Sequence, residues 1–107
     1  MAPAEIYDVP CEVYAPCALG GTLNDTTIPR LQCQIVAGSA NNQCLSDVHG
    51  DHLRQRGIVY APDFVINAGG LLNVAAEREP AGYNAVRVLA RMRNIAYTLG
   101  HIFDTAQ

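Results

Sequence analysis

The chain has no lysine and no tryptophan among its 107 residues, so all seven of its basic side chains are arginines. It also has no Gly-x-Gly-x-x-Gly string, the turn that lets a backbone cradle a pyrophosphate. Cys11, Cys17, Cys33 and Cys44 form no Cys-x-x-Cys pair, which excludes a thioredoxin-type redox motif and the commonest zinc frameworks. Ten acidic residues and seven arginines are scattered without a block of like charge, for a formal net charge of −3. A surface that tracks phosphates is therefore not expected, and no nucleic-acid partner follows. Apolar stretches fall far short of the ~20 residues that cross a bilayer, so no membrane partner follows either. The start, Met1-Ala2-Pro3-Ala4-Glu5, lacks the basic and apolar regions of a secretory signal. The expected location is cytoplasmic, with four reduced and mostly buried thiols.

What is present is enough for one domain, residues 1–107. Half of the residues are apolar, which permits a modest core at this length. Glu12 to Ala15 lies between Pro10 and Pro16 and reads as a short strand ended by the second proline. Asn24 or Asp25 can cap a turn or two before Leu31. The β-branched run Gln34-Ile35-Val36-Ala37 is a second strand closed by Gly38. Asp47 begins a helix carried by Val48, Leu53 and Arg54 and stopped by Gly57. Ile58 to Ala61 is a third strand, stopped by Pro62.

Asp63 can cap a further helix running from Phe64 through Gly69-Gly70 toward Glu77. Two glycines inside a helix cost about 1 kcal/mol each against alanine, which points to close approach by a ligand or a neighbouring chain. In the last segment Ala85, Val88, Met92, Ile95, Leu99, Ile102 and Ala106 repeat at spacings of three and four, one apolar stripe on a long helix. The stripe faces either the core or a second chain. Strand alternating with helix predicts an α/β fold with a parallel sheet and right-handed crossovers.

Each strand runs directly into a string of small residues with an amide or a thiol. These are Ala15-Pro16-Cys17-Ala18-Leu19-Gly20-Gly21, Gly38-Ser39-Ala40-Asn41-Asn42-Gln43 and Ala61-Pro62-Asp63-Phe64-Val65-Ile66-Asn67-Ala68-Gly69-Gly70. The carboxyl ends of parallel strands are where open α/β sheets bind ligands. Asn41 and Asn67 each offer a donor and an acceptor, which suits a carboxamide or an amino-acid head group. The neighbouring Asn42 reads as a turn residue. Cys17 has no adjacent histidine or lysine to activate it, so no nucleophilic role follows. His49 and His52 are three residues apart and share one helical face, but zinc needs further ligands at workable spacing. A solvated or capping pair is expected, and no metal.

The three strings, in this order and spacing, resemble the NAD-dependent glutamate/leucine/phenylalanine/valine dehydrogenases, most closely those acting on leucine and phenylalanine. The resemblance covers Ile6 to Phe103. It implies the second half of a cofactor domain: a partial Rossmann-like, three-layer unit whose strands correspond to the fourth, fifth and sixth of a six-stranded sheet, in sequential order. It places Cys17, Ala18, Asn41 and Asn67 at the cofactor and Leu71 and Val74 in the pocket for the substrate side chain, where ordinary helix-core packing is the alternative. The family's catalytic lysines lie in a separate domain, so this chain carries no catalytic residue and is expected to be inactive alone, with NAD affinity weak or lost. Two other readings stay open: an oligomeric module, structural or binding a small molecule, and one subunit of a split dehydrogenase. An open strand edge and the stripe of the last helix predict a homodimer or tetramer.

Overall fold

The computed structural model describes residues 1–106, with side chains through Thr105. It divides into two compact units, Met1–Asp63 and Phe64–Gln107. In the first, strands β1 (Val13–Tyr14), β2 (Ile35–Val36) and β3 (Val59–Tyr60) form one parallel sheet in the order β1-β2-β3. All three lie within the ranges predicted from their β-branched runs, and their order is the sequential one. The register aligns Val13, Ile35 and Val59 across one face and Tyr14, Val36 and Tyr60 across the other. The second face is the inner one. There Val36 joins Leu23, Ile28, Leu31, Leu53 and Ile58 in the core, with Tyr14 and Tyr60 packed against it.

The link from β1 to β2 contains a single 3-10 turn, Ile28–Arg30, rather than a longer helix. Asn24 starts it as expected, its Oδ1 accepting the backbone N–H groups of Thr26 and Thr27 at 2.9 and 3.0 Å. Pro29 has no N–H to extend the turn, and the chain leaves it toward β2. Arg30 meanwhile forks onto Asp8, donating from Nε to Oδ1 at 2.9 Å and from Nη2 to Oδ2 at 2.6 Å. Helix α1 (Val48–Gln55) follows β2 and ends before Gly57, whose φ of +72° takes the left-handed cap. Its inner face is His49 and Leu53, one turn apart and both buried.

The second unit is helical: α2 (Asp63–Ile66, opening on the last residue of the first unit), α3 (Gly69–Glu77) and α4 (Ala85–Ala106). The single helix expected from Phe64 to Glu77 breaks at Asn67-Ala68. Gly69 and Gly70 thus open α3 rather than interrupt a helix, which removes most of their cost. A Cβ at Gly70 would meet nothing within 4 Å among the described residues, and one at Gly69 only the flexible end of Met92, at 3.9 Å. Within the described residues no backbone crowds these glycines, so a close approach there would come from a ligand or a neighbouring chain. Asn84 starts α4 by accepting the Arg87 N–H at 3.1 Å. Along α4 Val88 is buried and Met92, Ile95, Leu99 and Ile102 are half-buried, while Ala85 is exposed. Ala106, the last residue of the predicted stripe, has its side chain outside the described residues. Helix α3 packs on α4, whose buried and half-buried residues include Val88, Met92, Ile95, Leu99 and Ile102 of this stripe. Among the described residues no helix is long and apolar enough to cross a membrane.

Candidate functional site

Because the strands are parallel, the loops after β1, β2 and β3 all leave the same edge of the sheet. The first two are stitched together. Ala40 donates its N–H to the Pro16 carbonyl at 3.0 Å, and Gly21 donates to the Asn42 carbonyl at 2.7 Å. Gly38 lies so close to Pro16 that a Cβ would strike its backbone, so only glycine fits. Gly20 is similarly confined, its Cβ position 2.7 Å from the Asn41 carbonyl oxygen. Asn42 has a φ of +51°, the left-handed geometry that asparagine tolerates, in keeping with a turn role.

Gln43 locks this edge. It is fully buried, and its amide nitrogen donates to the carbonyls of Gly38 at 2.7 Å and Ala40 at 2.9 Å. Its backbone N–H donates to Asp63 Oδ2 at 2.8 Å, tying the second loop to the third. Its Oε1 is buried with no hydrogen-bond partner among the described residues. Sequence reasoning did not single out Gln43, although a glutamine closing a run of small residues was visible.

Cys17, Ala18 and Asn41 all sit exposed on the first two loops. The Cys17 thiol is pushed down in pKa by hydrogen bonds from the Ser39 side chain and then from the Ser39 backbone. No histidine or lysine takes part, in keeping with the sequence reading; the hydrogen-bonding residue comes from the second loop. None of the four cysteines is fully buried: Cys11 and Cys17 are exposed, Cys33 and Cys44 intermediate, and all four are unpaired. The expectation of mostly buried thiols does not hold. Burial raises the Cys44 thiol, and burial raises the Tyr60 hydroxyl far above its ordinary value; the two share a hydrogen bond.

Asn67, Leu71 and Val74 belong to the second unit. Asn67 is half-buried between α2 and α3, whereas Leu71 and Val74 are 74% and 54% exposed on the outer face of α3. They are not core residues of their helix, whose inward positions include Leu72 and Ala76. A cleft of about 380 Å³ in this unit is lined by residues that include Ala68, Leu72 and Ile95, with Arg91 and Asn94 as polar members.

His49 and His52 both lie on α1, but neither is simply solvated. His49 is buried; its Nδ1 accepts the Ser46 N–H at 3.0 Å, a capping contact, and its Nε2 lies 3.0 Å from Asp25 Oδ1. His52 Nδ1 is 3.6 Å from that same oxygen.

Comparison with known proteins gives one consistent answer. The family model described as glutamate/leucine/phenylalanine/valine dehydrogenase matches residues 1–101. The chain is 53% identical over 105 residues to a leucine dehydrogenase of Bacillus cereus, covering 98% of this chain and 28% of that protein. It is 48% identical over 103 residues to a phenylalanine dehydrogenase of Caldalkalibacillus thermarum, covering 96% of this chain and 27% of that protein. A crystal structure of L-tryptophan dehydrogenase from Nostoc punctiforme superposes with a TM-score of 0.93 at 48% identity, over 98% of this chain and 31% of the other. The chain thus spans less than a third of the length of the relatives it matches.

Proposed function

The chain belongs to the glutamate/leucine/phenylalanine/valine dehydrogenase family, and from that premise we propose that it forms the nicotinamide side of an amino-acid dehydrogenase's cofactor domain. One observation carries the reading: the neighbouring parallel strands β1 and β2 deliver their glycine- and amide-bearing loops to a single sheet edge, where α/β folds bind ligands. The residues suit a flat carboxamide-bearing ring. Cys17 and Ala18 are small and exposed, and Asn41 beside them carries both a donor and an acceptor. In the second unit, taken by itself, Asn67 carries an amide of the same kind, and Leu71 and Val74 offer apolar surface that suits an aliphatic or aromatic substrate side chain. Hydride transfer is chemistry that the nicotinamide supplies when bound; the chain's part is to hold and orient.

Nothing in the 107 residues supplies the proton transfer that amino-acid oxidation needs in this family, since there is no lysine. The chain by itself is therefore a binding element that turns nothing over. NAD binds weakly, because the fingerprint that would take the pyrophosphate is missing.

Competition distinguishes the two ends of the dinucleotide. Nicotinamide mononucleotide is expected to displace NADH from the purified chain, and AMP is not. Asn41→Ala is expected to weaken binding roughly three- to tenfold, the effect of one neutral hydrogen bond of about 0.5–1.5 kcal/mol. Displacement by AMP alone, or an unchanged affinity in Asn41→Ala, would move the site elsewhere. Formation of NADH from L-leucine or L-phenylalanine by protein free of host dehydrogenase would overturn the inactivity.

A second reading, an oligomeric module, draws on the outer face of the sheet. Val13, Ile35 and Val59 align there and stay 49%, 37% and 46% exposed, a row of aliphatic side chains suited to a second copy.

A further inference from the structure

We infer that Asp25, His49 and His52 form a binding site for a divalent metal ion of the zinc, cobalt and nickel class. Two imidazoles and one carboxylate are the ligand types such ions take. Their nearest ligand atoms all lie within 4.8 Å of one another. Asp25 Oδ1 stands at the centre, 3.0 Å from His49 Nε2 and 3.6 Å from His52 Nδ1. Ligands about 2.0–2.1 Å from a tetrahedral zinc stand roughly 3.3 Å apart, so two of the three edges already have the required length. The third, between the two imidazoles, closes as the half-exposed His52 ring turns toward the buried His49.

The scaffold holds the donors independently of any ion. Helix α1 sets the two histidines three residues apart on one face, with ring centroids 5.4 Å apart and edge to face. Asp25 is held at the turn that Asn24 caps. Ser46 supplies the outer contact that orients a ligating imidazole. At present its N–H occupies His49 Nδ1, so the ring proton sits on Nε2 and points to Asp25. The metal takes that proton's place between Asp25 and His49. The ring then carries its proton on Nδ1 and donates it to Ser46 Oγ, 3.2 Å away, and the N–H of the exposed Ser46 turns to solvent. Binding therefore shifts the ring's single proton from Nε2 to Nδ1 and leaves the imidazole neutral, the form in which it ligates a metal.

The site is open on one side. Asp25 and His52 also line a cleft of about 310 Å³ whose walls include Ile28, Pro29, Gln55 and Arg56. Three protein ligands plus a position facing a cleft describe a site that keeps exchangeable water. Nothing in this inference depends on the dehydrogenase reading, since these residues lie apart in sequence from the strand-end strings.

The test uses the 107-residue chain and Zn²⁺ alone, followed by imidazole ¹⁵N NMR and by titration calorimetry. Zinc is expected to shift the His49 and His52 ring signals while leaving His101, on α4, unmoved. His52→Gln and Asp25→Asn, both substitutions at accessible positions, are expected to weaken zinc binding at least about tenfold, and His101→Gln to leave it unchanged. Circular dichroism of each variant checks that it is folded. Absence of ring shifts at millimolar zinc would overturn the assignment. So would affinity in either folded site variant equal to that of the parent chain, which would place the metal on the cysteines.

Discussion

Replacing Gln43 tests whether one buried amide organises the sheet edge. Gln43→Ala removes two hydrogen bonds to the carbonyls of Gly38 and Ala40, each worth about 0.5–1.5 kcal/mol net. The vacated space, on the order of 50 Å³, adds roughly 1 kcal/mol at about 24 cal/mol per Å³. Against this, the substitution removes the unpartnered Oε1, whose burial costs about 1 kcal/mol. The balance is a loss of about 1–3 kcal/mol, a sizeable share of the ~5–15 kcal/mol that holds a typical domain folded. Gln43→Met keeps the volume and discards Oε1, so it isolates the lost hydrogen bonds and is expected to retain about 1 kcal/mol more stability than Gln43→Ala. Urea denaturation followed by circular dichroism measures both, with equal slopes confirming that the same surface unfolds. A loss under about 0.5 kcal/mol in Gln43→Ala, or a methionine variant less stable than the alanine one, would refute the reasoning. The first result would mean that the loops hold their places without the amide.

Two further outcomes follow from the same structure. The hydrogen bond from Arg30 holds the Asp8 carboxyl below its ordinary pKa, so the pair contributes stability at pH above the unfolded aspartate value of about 3.9, and that contribution is lost as pH falls through the lower folded value. Asp8→Asn should accordingly lower the melting temperature near neutrality slightly and flatten its decline between about pH 5 and about pH 2; an acid limb identical to the parent's would count against the pair. The exposed row Val13, Ile35 and Val59 predicts self-association, read by light scattering as about twice the 11.5 kDa chain mass at micromolar concentration and reduced by Val59→Glu; a monomer mass in the parent chain would exclude it.

The parts of this fold that could be read directly are those encoded by neighbours in sequence. Ile35-Val36 before Gly38 and Val59-Tyr60 before Pro62 announce short strands, because β-branched and aromatic residues favour extended backbone and the glycine and proline end it. Helix α1 was legible from Asp47 to Gly57 for the same local reason. Periodicity also identified the more buried face of α4, and the structure packs α3 against α4. The break at Asn67-Ala68 was hidden, because Asp63 to Glu77 has continuous helical character apart from two glycines whose meaning depends on where the helix restarts. The core-packing alternative for Leu71 and Val74 falls as well, since Leu72 and Ala76 are the more buried residues of α3.

The contacts that govern chemistry were harder still, for a reason built into parallel sheets. Each crossover returns the chain to the same edge some twenty residues later, so partners there are separated by a crossover rather than by a motif spacing. Ser39 reaches Cys17 in this way, and Asp63 reaches the Gln43 N–H. Asp25 meets His49 across 24 positions, although no single window of sequence contains both ligand types at a metal-binding interval. A pattern search keyed to helical spacing finds His49 and His52 and stops, two ligands short of a tetrahedron. The turn capped by Asn24 brings the third, and the cleft beside His52 leaves room for the fourth. What the sequence does encode is the set of local devices, a cap, a proline and a glycine stop, that place these distant residues together.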